Sequence, residues 1–281
     1  MTTINEKAEL FHELHRRGEP VILANAWDGA SARIVEDAGA TAIATTSAGV
    51  AWSLGAPDGD RLDRDTALAL VARVAAAVSV PVTADIENGF AEKAEGVAET
   101  IEGVLAAGAV GVNLEDAVYA DAAHGGGASL RPVAEQAERI AIARQAADRL
   151  GVRLFINARI DTYLRAVGDP ATRLDETLAR AAAFVAAGAS GVFVPGVVDA
   201  ATVSALVEGI DAPLNVLTGS GAPPIPAFAA LGVARVSLGS SIASAAYDVV
   251  RRAAREAFSD GTYETISQAL DYQQLNRLLG A

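Results

Sequence analysis

One joint recurs along this chain and fixes the kind of fold it can adopt: an apolar helical stretch ends at a glycine, and a short β-branched run follows at once. It reads Asp37-Ala-Gly-Ala-Thr-Ala-Ile-Ala-Thr, then Ala106-Ala-Gly-Ala-Val-Gly-Val-Asn-Leu-Glu-Asp, Ala186-Ala-Gly-Ala-Ser-Gly-Val-Phe-Val and Ala230-Leu-Gly-Val-Ala-Arg-Val-Ser-Leu. Gly39, Gly108, Gly188 and Gly232 stand where a left-handed residue closes a helix. The runs after them have the continuous apolar character of strands covered on both faces. Repeated helix-to-strand joints imply a parallel sheet, and the polar residues just past the strands place a site on its carboxyl edge.

The same pattern extends to eight strands: Val21–Ala26, Thr41–Thr45, Val82–Asp85, Gly111–Leu114, Leu154–Ala158, Gly191–Val194, Leu214–Leu217 and Arg235–Ser237. Helical spacing fills the intervals at 31–38, 64–78, 93–107, 133–150, 175–187, 200–208, 226–231 and 240–258. Eight alternating units predict an α/β fold, a closed (β/α)8 TIM barrel, as one domain over residues 1–281. A helix over 5–17 and another over 263–279 lie outside the repeats. The apolar face of Ile266, Leu270, Leu275 and Leu278 suits the second to subunit contact.

Composition narrows the chemistry. At 51% hydrophobic content the 281 residues bury a large core, and a net charge of −13 disfavours nucleic acid and anionic membrane as partners. No segment is long and apolar enough to serve as a leader or a membrane span, so the expected location is cytoplasmic. With no cysteine, thiolate ligands and cysteine nucleophiles are excluded. Lys7 and Lys93 both lie in polar surroundings, unsuited to imine chemistry, and His12, His15 and His124 are too scattered for a zinc site.

The strand ends carry Asn25, Trp27 and Asp28; Thr45, Thr46 and Ser47; Asp85 and Glu87; Asn113, Glu115 and Asp116; Asn157, Arg159 and Asp161; Asn215 and Thr218; and Ser237. Asp85, Glu87 and Glu115 at one barrel mouth repel one another unless a cation neutralises them. A hard, oxygen-ligated ion is the simplest solution, Mg2+ first and Mn2+ as an alternative. The same carboxylates can instead cap helices or pair with arginines. Arg159 can pair with a neighbouring acid, Asp58 sits in a Pro-Asp-Gly turn, and His124 lies in a glycine-rich loop that suits a solvent-exposed residue as well as a proton donor. Trp27 is pocket wall or core, and Asn215 orients substrate or satisfies a loop.

In order and spacing the chain resembles the isocitrate lyase/phosphoenolpyruvate mutase superfamily. The resemblance is carried by Asn25-Ala-Trp-Asp, Thr46-Ser-Ala-Gly-Val-Ala, Gly55-Ala-Pro-Asp-Gly-Asp, Asp85-Ile-Glu-Asn-Gly-Phe, Gly111-Val-Asn-Leu-Glu-Asp, Asn157-Ala-Arg-Ile-Asp-Thr-Tyr and Gly232-Val-Ala-Arg-Val-Ser-Leu-Gly. It implies Mg2+ held by Asp85, Glu87 and Glu115 largely through water, with Asp58 nearby. It further implies a substrate carboxylate on the backbone of Ser47, Ala48 and Gly49, and Arg159 neutralising oxygen charge as the reaction proceeds. It also implies a homotetramer with an exchanged C-terminal helix.

The chain departs from that family after the fourth strand, where lyases carry a Lys-Cys-Gly-His type segment. Here the sequence runs Tyr119-Ala-Asp-Ala-Ala-His-Gly-Gly-Gly-Ala-Ser-Leu-Arg131. Without that thiol and lysine, oxaloacetate-type decarboxylation fits best, because departing CO2 needs no base and His124 or water can protonate the product. The expectation is a Mg2+-dependent carbon–carbon lyase acting on a small 2-oxo or 2-hydroxy dicarboxylate through a metal-stabilised enolate. Methylisocitrate- or dimethylmalate-type cleavage belongs to the same class. Carbon–phosphorus chemistry of the phosphonopyruvate hydrolase or mutase type, and a dicarboxylate-binding barrel without turnover, are the alternatives.

Overall fold

In the computed structural model, which describes residues 2–59, 61–118 and 129–280, the predicted alternation is realised as a barrel. Its strands are β1 (Val21–Leu23), β2 (Ile43–Ala44), β3 (Val82–Asp85), β4 (Gly111–Glu115), β7 (Phe155–Arg159), β8 (Gly191–Val194), β9 (Leu214–Leu217) and β10 (Arg235–Ser237). The short β5 (Ala117–Val118) and β6 (Ser129–Leu130) pair antiparallel with each other above β4. The eight barrel strands are all parallel in the order β1-β10-β9-β8-β7-β4-β3-β2, and a bridge between Ala26 and Thr45 brings the first and second strands together. The fold is a (β/α)8 TIM barrel.

Helices α1 (Ile4–Glu13), α2 (Gly29–Asp37), α3 (Ser47–Ser53), α4 (Arg64–Ala77), α5 (Val97–Ala106), α6 (Val133–Arg149), α7 (Arg173–Ala186), α8 (Ala200–Gly209), α9 (Ile225–Ala230), α10 (Ser241–Ser259) and α11 (Tyr272–Leu279) surround it. The four glycines of the repeated joint take positive φ, at +102°, +91°, +108° and +89°, as a left-handed closure requires. The outward residues of the strands, among them Val112, Leu114, Ile156, Ala158, Val192 and Val194, are buried beneath the helices. This layer is the apolar core, and it explains why the strands read as continuous rather than alternating.

Helix α1 closes the amino-terminal mouth. Thr3 caps it by accepting the Glu6 N–H at 3.2 Å, while Glu6 accepts the Thr3 N–H at 2.7 Å. The buried Phe11 ring reaches the start of β4, where a Cβ on Gly111 would stand 2.7 Å from it. Glycine is needed there for close approach. His15 stacks on Phe155 with ring centroids 3.9 Å apart and meets Phe11 edge-on at 4.7 Å.

Two elements differ from the sequence expectation. The predicted helix over 263–279 is broken: a short 3-10 turn at Glu264–Ile266 precedes α11, because Asp271 and Gln274 form a capping box that starts a new helix. Residues 47–53, which lie in none of the helices expected from spacing, form α3. The wall between α1, β1, α2 and the start of α10 holds an apolar cavity of about 740 Å³ lined by Leu14, Pro20, Ile22, Ile34, Val35 and Ile242. Ile22 is 44% exposed there although it lies on a barrel strand. Of α10 itself, Ala243 alone is buried among the described residues. No helix among the described residues is long and apolar enough to cross a membrane.

Candidate active site at the carboxyl mouth

Arg159 ends β7 in register with Glu115 at the end of β4. Its Nη1 lies 2.6 Å from Glu115 Oε2, and its Nε and Nη2 donate to Asp161 Oδ1 and Oδ2 at 2.7 and 2.9 Å. A two-point fork of this kind fixes the plane of the guanidinium as well as its position. Asp161 is fully buried; it also accepts from Arg165 Nε at 3.1 Å, and its backbone N–H donates to Asp116 Oδ1 at 2.9 Å. Asp116 in turn accepts from Arg180 Nη1 at 3.2 Å. Burial works against the charge on Arg159, but the carboxylates of Glu115 and Asp161 outweigh it and hold the group firmly protonated. Burial pushes Asp116 up to about 6, opposed by the Asp161 N–H and by Arg180.

Asp85, at the end of β3, is held more loosely. Its Oδ2 accepts the Ser47 N–H at 3.3 Å and its Oδ1 accepts the Glu87 N–H at 3.4 Å, both at the long end of hydrogen bonding. Asp58 faces it: burial, and then the charge of Asp85, raise the Asp58 pKa, against the Gly59 N–H, the Ser47 hydroxyl and Arg159. Glu87 is buried in the left-handed region at φ 50°, a conformation costing a non-glycine residue about 1 kcal/mol. Its carbonyl accepts the Glu115 N–H at 2.9 Å, which ties the two acidic strand ends together.

The structure thus gathers Asp58, Asp85, Ser47 and Arg159 around one space, with Glu115 on Arg159 and Glu87 beside Asp85. Among the described residues no three His, Cys, Asp or Glu side chains stand in the geometry of a ready-made metal shell. The donors that face one another are all oxygens, and Asp58 and Asp85 repel. That chemistry fits a hard divalent ion held mainly through water rather than a soft or fully protein-ligated one. Ala48 and Gly49 lie in the first turn of α3, where a Cβ on Gly49 would stand 2.8 Å from Trp27 Cβ, so Trp27 packs against the start of that helix. Asn215 lies inside the barrel, its Oδ1 accepting from Ser237 Oγ at 3.2 Å. His124 lies outside the described residues.

Sequence reasoning missed two features. The anchoring of Arg159 by Asp161 was signalled by Arg159-Ile-Asp161, because residues two apart on an extended chain share a face. The other is Arg235, fully buried inside the barrel, where burial pushes its pKa down to about 9 against the pull of Asp85. An arginine inside the run Val233-Ala-Arg-Val-Ser was its signal, since a covered strand has no room for an idle charge.

Comparison with known proteins agrees with this architecture. The family model described as phosphoenolpyruvate phosphomutase matches residues 11–258. A Burkholderia cenocepacia protein described as a lyase/mutase superposes with a TM-score of 0.89 at 40% identity, covering 99% of this chain and 97% of its own. Oxaloacetate decarboxylase 2 of Pseudomonas fluorescens is 31% identical over 82% of this chain and 76% of its own length. A phosphonopyruvate hydrolase solved with oxalate and Mg2+ superposes with a TM-score of 0.83 at 25% identity, covering 98% of this chain and 95% of its own. The chain belongs to the phosphoenolpyruvate phosphomutase family, within the isocitrate lyase/phosphoenolpyruvate mutase superfamily.

Proposed function

We propose that the protein is a Mg2+-dependent carbon–carbon lyase that decarboxylates a small 2-oxo dicarboxylate of the oxaloacetate type. The observation that carries this reading is the Arg159 fork: a buried cation locked by Asp161 and Glu115 beside the loosely held Asp85. Developing negative charge on a substrate oxygen is stabilised best by a donor that does not reorganise, and Arg159 is held from two sides. Asp85, with Glu87 and Glu115 behind it, would hold the ion, which supplies Lewis-acid stabilisation of the same oxygen charge. The N–H groups of Ala48 and Gly49, in the first turn of α3, have no intrahelical carbonyl to bind and suit a carboxylate. Asp58, hydrogen-bonded to the Ser47 hydroxyl, stands beside the same space. The related oxaloacetate decarboxylase and the oxalate and Mg2+ bound by a phosphonopyruvate hydrolase support the substrate class and the ion.

Release of pyruvate from a panel of carboxylated 2-oxo acids, with Mg2+ and with chelator, tests the reading. Pyruvate from oxaloacetate that disappears with chelator is the expected result; no product from any member of the panel sinks it. Phosphate release from phosphonopyruvate in its place establishes carbon–phosphorus chemistry. Binding of these acids without any turnover by the wild type, unaffected by Asp85→Ala, establishes a binding barrel. For assembly, the exposed Ile22 and the cavity beside it suit a helix from a second copy, while Val249, Val250 and Phe258 on α10 are exposed in the single chain. The proposed state is a tetramer with the C-terminal segment exchanged. Light scattering checks it, with Val250→Asp expected to shift the protein toward smaller species.

A further inference from the structure

The barrel interior beneath the mouth is polar, and its polarity is set by one residue. From β10, Arg235 reaches across to β4 and donates from Nη2 to Asn113 Oδ1 at 3.2 Å, although these strands are not neighbours in the sheet. Asn113 Oδ1 also accepts from Asn157 Nδ2 at 2.9 Å. On its own side, Arg235 Nε donates to Ser237 Oγ at 3.3 Å, and that hydroxyl donates onward to Asn215 Oδ1 at 3.2 Å.

A guanidinium carries donors only, so the amide atom facing it must be the oxygen. The direction of the Asn113 amide follows from this chemistry, and the Ser237 hydroxyl, which accepts from Arg235, donates to the Asn215 oxygen. Asn113 turns its oxygen to Arg235 and Asn157, and Asn215 turns its oxygen to Ser237. Each NH2 group therefore points away from the network. Asn215 Nδ2 is buried without a hydrogen-bond partner among the described residues, as is Arg235 Nη1. Asn113 keeps 5% of its surface accessible, and its Nδ2, which makes no hydrogen bond among the described residues and is not fully buried, is the amide atom left there. Below, Phe11 and His15 seal the barrel, so the accessible side of Asn113 is the carboxyl mouth, level with Asp85 in the strand register.

We infer that Arg235 is a positioning residue that turns the Asn113 amide so that its NH2 group faces the chamber, and that Asn113 Nδ2 binds an oxygen of the substrate. At Asn113 Nδ2 the floor then takes a carboxylate or keto oxygen of a small oxo acid in preference to a group that can only donate. An unmet donor in this buried setting is costly, which gives the preference its strength. The inference rests on the reading of the carboxyl mouth as the substrate site.

The test uses oxalate as probe, in saturating Mg2+, with the full-length protein followed by calorimetry and by the side-chain amide resonances of 15N-labelled samples. Asn113→Asp keeps an oxygen for Arg235 and Asn157 but presents an acceptor to the chamber. It is expected to bind oxalate at least tenfold more weakly while melting no lower than the wild type. Arg235→Met is expected to weaken oxalate severalfold by releasing the amides, and Arg235→Lys, again a donor only, to restore it. One Asn side-chain NH2 pair is expected to shift on oxalate addition and to be missing in Asn113→Asp. Wild-type oxalate affinity in Asn113→Asp, with binding lost in Asp85→Asn, overturns the floor and leaves the mouth standing. Wild-type affinity in Asp85→Asn, or no oxalate binding by the wild type, overturns both.

Discussion

The two mouths of this barrel are built from opposite materials. At the amino end, Phe11, His15 and Phe155 form an aromatic stack closed by α1; burial, and then Arg235, push His15 down to about 3, so that its ring is neutral. At the carboxyl end, Arg159, Glu115, Asp161, Asp116 and Arg180 form a chain of charges, two of which, Asp116 and Asp161, are fully buried. Burying charge is expensive even when it is paired, whereas burying a phenyl ring stabilises outright. The sealed end can therefore carry stability and leave the open end free to hold groups that are poised rather than content. Asp58 and Asp85 repel across the open mouth.

The largest effects should separate cleanly by mouth. Arg159→Ala removes the fixed cation and is expected to lower kcat about a thousandfold, roughly 4 kcal/mol of transition-state stabilisation, in the pyruvate-release assay. Asp161→Asn keeps the shape but weakens the fork; kcat should fall about tenfold or more, with a lower melting temperature because Arg159 and Arg165 lose their shared acid. Phe11→Ala does the reverse. It should cost about 3 kcal/mol or more in urea unfolding and leave kcat of the folded protein unchanged. A loss of kcat in Phe11→Ala as large as that in Asp161→Asn breaks the division between the two ends.

The same division explains what could be read in advance. The barrel was legible because each joint repeats one local solution, a glycine closing a helix before a covered strand, and φ at Gly39, Gly108, Gly188 and Gly232 is a local property. Asp85 and Arg159 were legible as candidates because strand ends share one edge, whereas Asp58, in a Pro-Asp-Gly turn between α3 and α4, was legible only through the family resemblance. Helix α3 was not: Ser47-Ala-Gly-Val-Ala-Trp-Ser is short and glycine-containing, and it is helical because it packs on Trp27 and the start of α10. Nor was the cross-barrel bond from Arg235 to Asn113, which joins residues 122 positions apart and exists only once the sheet has closed.

A smaller effect comes from pH. His15, at about 3 in the folded protein against an ordinary value near 6.5, takes up a proton more readily when unfolded. The unfolded state thus binds more protons between those values, so stability is fully present above about pH 6.5 and declines as the pH falls toward 3. His12, pushed down to about 4 by burial and by Arg153, acts in the same direction. Between pH 7 and pH 5, His15 alone should cost about 2 kcal/mol. His15→Phe should flatten that part of the profile, whereas Asp116, pushed up to about 6 by burial beside the Arg159 fork, acts in the opposite direction over the same range. A profile equally steep in His15→Phe removes the neutral ring from the account of the sealed end.

The smallest expected effect is the most searching for the comparison. Thr3→Ala removes the cap of α1, leaving the Glu6 N–H without its acceptor and the helix start less defined. Loss of such a cap costs about 1 kcal/mol. For a chain of this size it lowers the melting temperature by roughly 2 °C. Thr3 touches nothing at the carboxyl mouth, yet α1 carries Phe11 and leads directly into His15, and His15 lies within electrostatic reach of Arg235. If the mouths are independent, kcat/KM at 25 °C stays at the wild-type value while the melting temperature moves. If loosening α1 reaches the floor through His15 and Arg235, kcat/KM falls even where the protein is fully folded. Steady-state kinetics well below the melting transition, compared with calorimetric unfolding of the same sample, decides between an amino mouth that only supports the site and one that also tunes it.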